Sequence, residues 1–191
     1  MNNISSKEAS PVKTKETIRH ISYLLKKHYG QQYADVWDFG VQVALRISDI
    51  LKIEFEHIAD TAEGSELFFM AKKTNKRGQT LLNERAREVV VRRKALGDQY
   101  LFQSNSSRPQ DRGKPMSSRS MNRALQEISN MVGIKLSTHS MRKTWGYHVY
   151  QASKDIALVQ DTLQHSSPKE TLRYIGIDKE KRDETFKTMV L

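Results

Sequence analysis

Four short segments of this 191-residue chain bring together residue types able to act on a polar substrate. The first is Val43-Ala44-Leu45-Arg46-Ile47-Ser48-Asp49-Ile50-Leu51, an arginine directly after an apolar stretch. The second is the basic turn Lys72-Lys73-Thr74-Asn75-Lys76. The third is Thr138-His139-Ser140-Met141-Arg142-Lys143-Thr144, where His139 and Arg142 lie three apart and share one face of a helix. The fourth is Leu163-Gln164-His165-Ser166-Ser167-Pro168, followed by Leu172-Arg173-Tyr174. Singly, each has an ordinary reading. An arginine after an apolar helix usually points to solvent, and lysines in a turn are usually just hydrated. A histidine near a helix start is more often structural than catalytic. A lone tyrosine on an amphipathic helix usually belongs to the core or its rim.

The order of the segments is more informative than any one of them. They give Arg, Lys, His-x-x-Arg, His and Tyr, and this set resembles the tyrosine recombinases, the phage-integrase family, over residues from about 15 to 180. Leu45-Arg46-Ile47-Ser48-Asp49 is similar to the family's first-arginine box. Lys73 looks like its β-hairpin lysine. His139-Ser140-Met141-Arg142 matches His-x-x-Arg, and Leu163-Gln164-His165-Ser166-Ser167 resembles Leu-Gly-His-Ser-Ser. Tyr174 follows His165 by nine residues, the family's usual interval. Four positions depart from the pattern: Ala44 and Gln164 stand where the family often has Gly, Asp49 replaces a common Glu, and Lys143 a frequent His.

The resemblance implies a catalytic set of Arg46, Lys73, His139, Arg142, His165 and Tyr174, working without cofactor or metal. A phosphodiester is an anion and repels anionic nucleophiles. Two fixed guanidiniums, Arg46 and Arg142, can bind its non-bridging oxygens and stabilise the charge that builds on in-line attack. His165 can add a third donor. The free phenol of Tyr174 has a pKa of about 10, so the cationic pocket is expected to favour its phenolate. His139 can take the tyrosine proton, and Lys73 can protonate the leaving 5′-oxygen. Lys72 and Lys76 compete with Lys73 for that role. The covalent 3′-phosphotyrosine keeps the bond energy, so strands can be rejoined without ATP. Asp49 is expected to hold a neighbouring backbone or basic group. Lys72, Lys76, Arg77, Arg108, Arg112, Lys114, Arg119 and Lys143 are the candidate DNA contacts.

Composition agrees with a nucleic-acid partner. Lys and Arg number 32 against 22 Asp and Glu, a net charge of +10. The absence of cysteine excludes disulfides, thiolate chemistry and Cys-ligated zinc. No apolar run reaches the length of a membrane span, and Met1 to Lys15 lacks a signal-peptide core, so cytosol or nucleoid is the expected compartment.

The elements that must position these residues follow from the pattern. Residues 1–13 read as a disordered tail, and 14–191 as one catalytic domain of α+β class, mostly helical with a small antiparallel sheet. Ile18, Ile21, Leu24 and Leu25 mark a helix stopping at Gly30, and another runs from about Ala34 to Leu45. Ser48 is the expected cap of a short helix carrying Ile50 and Leu51. Leu67–Met70 and Thr80–Leu82 read as strands around a basic turn. Asn83 caps a helix ending at Gly97, and 103–116 is a loop. Met121, Leu125, Ile128 and Val132 stripe a helix ending at Gly133. Thr138, Ser153 and Ser167 are the expected caps of three more, the last with Pro168 at its first position and Glu170 three after the cap. A final charged helix is expected from about Asp178. Its apolar residues Phe186, Met189, Val190 and Leu191 suggest docking on a second copy in a tetrameric assembly on paired DNA sites. The arginine box begins so early that the N-terminal grip domain usual in the family is expected to be missing.

Three other readings remain open at this level. One is a topoisomerase-like enzyme that nicks and reseals one strand. Another is a DNA-binding regulator that kept the fold and lost the chemistry. An RNA-binding protein is the weakest, since no aromatic-rich strand is present to stack bases.

Overall fold

The structure, a computed structural model, describes residues 8–61, 64–71, 76–177 and 187–189. It is the mostly helical α+β fold with a small antiparallel sheet that the periodicity predicts. Helix α1 (Lys15–Tyr29) is capped by Thr14, whose hydroxyl accepts from the Thr17 amide, and it buries Ile21, Leu24 and Leu25. Gly30 ends it at φ 93° and opens α2 (Gln31–Val43). Helix α2 is buried nearly all round, with Val36, Trp37 and Phe39 wholly enclosed, so it is the central post of the domain. The Trp37 indole donates to the Ile18 carbonyl and ties α2 to α1.

Helix α3 is a single turn, Ile47–Ile50, and Arg46 rather than Ser48 takes its N-cap position. The turn starts two residues earlier than the serine suggests because it must follow directly on the chain reversal at Ala44. Ile50 and Leu51 are buried as expected. The strands are β1 (Ile58–Thr61), β2 (Gly64–Ala71) and β3 (Lys76–Leu82), antiparallel in the order β1-β2-β3. Both expected strands are present. β1 was not expected, since Ile58-Ala59-Asp60-Thr61 has little apolar alternation to announce it. Leu67 pairs with Ile58 on one side and Thr80 on the other, and with Leu82 it turns the sheet's inner face to the core. β3 already begins at Lys76, inside the span read as a turn.

Helix α4 (Glu84–Lys94) has the expected Asn83 cap, accepting from the Ala86 amide. After the loop, α5 (Ser118–Val132) buries Met121, Leu125 and Ile128. Helix α6 (Thr138–Ser153) is capped by Ser137, one residue before the expected Thr138. Helix α7 (Ile156–Leu163) is capped by Asp155. Ser153 is still inside α6, where its hydroxyl donates to the Val149 carbonyl. Helix α8 (Pro168–Tyr174) starts as expected, with the Ser167 hydroxyl accepting from the Glu170 amide.

The described part of the segment read as a disordered tail, residues 8–13, is anchored to the domain at Val12. Val12 is completely buried, its amide donates to the Thr144 hydroxyl, and its carbonyl is bonded to the His148 ring. One apolar residue with two backbone bonds is enough to anchor a polar stretch.

Two apolar clusters result. The larger gathers α1, α2, the sheet, α4 and α5 around Trp37, Phe39, Phe102 and Leu125. The smaller joins α6, α7 and α8 through Tyr150, Val159, Leu163, Ile175 and Ile177. Helix α6 is shared, with Met141 in the first cluster and Tyr150 in the second. Gly146 is what lets α7 and α8 close on it, because a Cβ there would lie 2.8 Å from Ile175 Cγ2.

Ala44 and Gln164, where the resemblance expects Gly, both adopt left-handed backbone, at φ 55° and 53°. Each ends a helix one or two residues before Arg46 or His165 and aims that side chain. A side chain in this region costs about 1–2 kcal/mol, only partly offset by the lower unfolded-state entropy of a non-Gly residue. The Gln164 side chain is exposed, so Gln164→Gly is expected to stabilise the domain. The thermal midpoint should rise by about 2–4 °C for a gain of about 1 kcal/mol. A midpoint that falls would show that the turn is held by the glutamine itself.

Candidate active site

The pocket is built from the ends of four elements. Arg46 stands at the start of α3, His139, Arg142 and Lys143 lie in the first half of α6, His165 follows α7, and Tyr174 closes α8. The first half of α6 has almost no solvent face, for Ser140, Met141, Arg142, Lys143 and Thr144 are all buried.

Arg142 joins two of these elements. One of its terminal nitrogens donates to the Leu163 carbonyl at 2.7 Å, which fixes the end of α7 against α6. Its Nε is buried with no partner among the described residues. Burial, reinforced by the positive charge of Arg46, pulls its pKa down to about 10, and Tyr174 and Asp49 pull the other way. Two guanidiniums are thus held close enough to repel in a half-dry pocket. An anion placed between them would relieve that repulsion.

Tyr174 is half-buried at the same place. Its ring meets His165 edge-on at 4.8 Å between centroids, and the Lys143 Nζ lies 4.8 Å from its centroid. Burial raises the phenol above its ordinary range, against the opposing pull of Arg142 and Arg46. Both guanidiniums favour the phenolate, as expected of a cationic pocket, but desolvation outweighs them. A base is needed, and His139 is suited to it. Partial desolvation, then Lys143, Arg142 and Arg46, hold its pKa below the usual imidazole value, so it is neutral near pH 7 and able to accept a proton.

Lys143 departs from the surface role expected of it. Its side chain is only 7% exposed, sits against the Tyr174 ring and pairs with Glu8 at 3.6 Å. It packs against the Tyr174 ring instead of facing solvent. Glu8 had no signal in the sequence, since it lies in a polar stretch. Asp49 is buried and acts electrostatically on Arg142, opposing the fall in its pKa. Arg108, Arg112, Lys114 and Arg119 are all exposed, as phosphate contacts require. Lys72 and Lys73 lie outside the described residues, and so do the side chains of Lys76 and Arg77.

A family comparison matches the geometry. The Phage integrase family is matched over residues 14–181, nearly the whole of the described domain. The chain belongs to the phage integrase family. Its activity is that family's site-specific recombination, by enzymes that break and rejoin DNA strands. Among curated relatives, this integrase is 35% identical over 181 residues to the probable integrase/recombinase YoeC of Bacillus subtilis, covering 93% of this chain and 94% of that one. It is 26% identical over 141 residues to the tyrosine recombinase XerA of Pyrococcus furiosus, covering 70% of this chain but 46% of that one. It thus spans nearly all of YoeC and under half of XerA. Among solved structures, the XerA recombinase superposes with TM-score 0.70 at 16% identity, covering 96% of this chain and 67% of that one. The XerH recombinase in a post-cleavage complex with its difH substrate superposes with TM-score 0.68 at 15% identity, covering 98% and 55%. At that identity these two establish the fold, which is the tyrosine recombinase catalytic-domain fold.

No helix among the described residues is long and apolar enough to cross a membrane. Nor does any group of three or more His, Asp or Glu among them have metal-binding geometry.

Proposed function

We propose that Tyr174 attacks a phosphodiester of double-stranded DNA and is joined to the 3′ side of the break while the 5′-hydroxyl leaves. Arg46 and Arg142 clamp the non-bridging oxygens and His165 donates to one of them. His139 receives the phenol proton, and Lys73 supplies one to the leaving oxygen. Return attack by a 5′-hydroxyl from another duplex reseals the strand and restores Tyr174. The observation that carries this reading is the packing of Tyr174 against both His165 and Lys143, in the field of both guanidiniums. The exposed Arg108, Arg112, Lys114 and Arg119, with Lys72, Lys76 and Arg77, contact the duplex backbone. The protein acts on paired sites as a tetramer, in the cytosol at the nucleoid.

The test is trapping on a nicked suicide substrate carrying the native site. A covalent adduct is expected, and it should form equally in EDTA, because the guanidiniums supply the charge that a metal would. Cleavage that dies in EDTA and returns with magnesium would overturn the mechanism. A paired-site recombination assay run beside relaxation of a supercoiled plasmid separates strand exchange from nicking and resealing.

The role of Lys73 has its own signature. Lys73→Ala is expected to slow cleavage by about 10²–10⁴-fold, the usual worth of a general acid. A substrate with sulfur at the bridging 5′ position should restore it, since a thiolate leaves unprotonated. Rescue of Lys76→Ala in its place would move the role to Lys76.

A further inference from the structure

His165 is steered by a residue outside the catalytic set. Its Nδ1 lies 3.1 Å from the hydroxyl of Thr171, a wholly buried residue on α8. That hydroxyl also lies 3.1 Å from the Ser167 carbonyl, four residues back, the contact a helical threonine commonly makes. Proton counting decides the directions. A carbonyl only accepts, and a hydroxyl has one proton to give. Both contacts are satisfied together in one arrangement: Thr171 donates to Ser167, and the His165 Nδ1–H donates to Thr171.

We propose that Thr171 is a positioning residue that keeps the neutral His165 imidazole protonated on Nδ1, leaving Nε2 as the nitrogen that faces the substrate. This rests on the reading of His165 as a phosphate donor and deepens it. With Nδ1 committed to Thr171, Nε2 of the neutral ring carries a lone pair and cannot donate. His165 can bond a phosphate oxygen only as imidazolium, so it enters the reaction as a third positive charge beside the two guanidiniums. The ionisable groups around it are Tyr174 at 4.8 Å between rings, Glu170 on the same helix, whose carboxylate is stabilised by Ser166 and by His165, and Arg142 from α6 through the Leu163 carbonyl. Lys143 lies 4.8 Å from the Tyr174 ring centroid, Arg46 acts on Tyr174 and Arg142, and Arg173 acts on Glu170.

The tautomer can be read directly, without DNA or turnover. Long-range proton–nitrogen correlation spectra of histidine-labelled protein distinguish Nδ1–H from Nε2–H rings. The six histidines are resolved by subtracting the spectrum of His165→Gln. Above the imidazole pKa, the wild type and Thr171→Ser are expected to show the Nδ1–H form. Thr171→Val keeps the shape, loses the hydroxyl and should lose the preference. An Nε2–H ring in the wild type, or an Nδ1–H ring undisturbed in a folded Thr171→Val, overturns the proposal. On the suicide substrate, Thr171→Val should lower the cleavage rate by about tenfold or more, as loss of a supporting partner does for other site histidines. Its pH profile should shift, while Thr171→Ser stays near wild type on both counts. Equal losses in rate for Val and Ser, with unshifted profiles, would reduce Thr171 to packing and sink the idea. Because the spectra need no chemistry, failure of Tyr174 as nucleophile would leave the tautomer result standing.

Discussion

Tyr174→Phe is expected to abolish covalent capture of DNA below detection while changing affinity for the duplex by less than about twofold. The reason lies in what the ring touches. Phenylalanine keeps the edge-on contact with His165 and the cation contact with Lys143, so α8 should hold its place. Only the nucleophilic oxygen is lost, and duplex binding rests on phosphate contacts elsewhere. Gel analysis of the trapped adduct, run beside a binding titration at fixed salt, checks both halves. An adduct persisting in the variant would move the nucleophile, with Tyr147 and Tyr150 the next candidates on α6.

Arg142→Met is expected to separate activity from stability. Removing transition-state donors of this kind costs about 10²–10³-fold each, so cleavage should fall by at least that much. The fold should not suffer in proportion. A pKa drawn from 12.5 to about 10 means the folded protein disfavours this cation by on the order of 3 kcal/mol. The bond to the Leu163 carbonyl returns about 1–2 kcal/mol of that. Methionine fills most of the volume without the charge, so the unfolding midpoint should hold or rise by the equivalent of about 1–2 kcal/mol. Denaturant melts beside single-turnover cleavage read both effects. A loss of stability beyond about 2 kcal/mol would mean that Arg142 serves chiefly to hold α7 against α6.

How far the sequence could be read depended on whether the signal was local. Asn83 and Ser167 cap their helices through hydrogen bonds spanning three residues, and both starts were legible, whereas the Thr14 cap of α1 was not singled out. The motif residues were legible because their order in the chain is the signature, and Arg46, His139, Arg142, His165 and Tyr174 do share one pocket. The burial of Lys143 was not legible, because a lysine in a basic chain reads as a DNA contact and Ser140 to Thr144 of α6 are buried in succession. The pull of Arg46 and Arg142 on Tyr174 was legible because cations can be counted in a sequence, but the stronger opposing effect of burial was not. Thr171 was overlooked although it lies one helical turn before Tyr174; its partner His165 is brought back to it only by the turn at Gln164. The left-handed backbone at Ala44 and Gln164 was hidden for the opposite reason, since neither is the glycine that would have announced it.

The packing of Val12 bears on where this domain should be delimited. The family match starts at residue 14, and helix α1 at Lys15, so either would serve as a natural cutting point for a minimal fragment. A chain cut there loses a side chain whose full burial is worth about 1.5–3 kcal/mol. It also strips partners from Thr144 and His148, on the helix that carries Arg142. The Ser10 amide, bonded to the Lys135 carbonyl just ahead of α6, goes with them. Against a total stability of about 5–15 kcal/mol for a typical domain, that is a sizeable share. The boundary drawn by likeness to relatives thus falls inside the cooperative unit, and the smallest intact fragment extends back at least to Ser10.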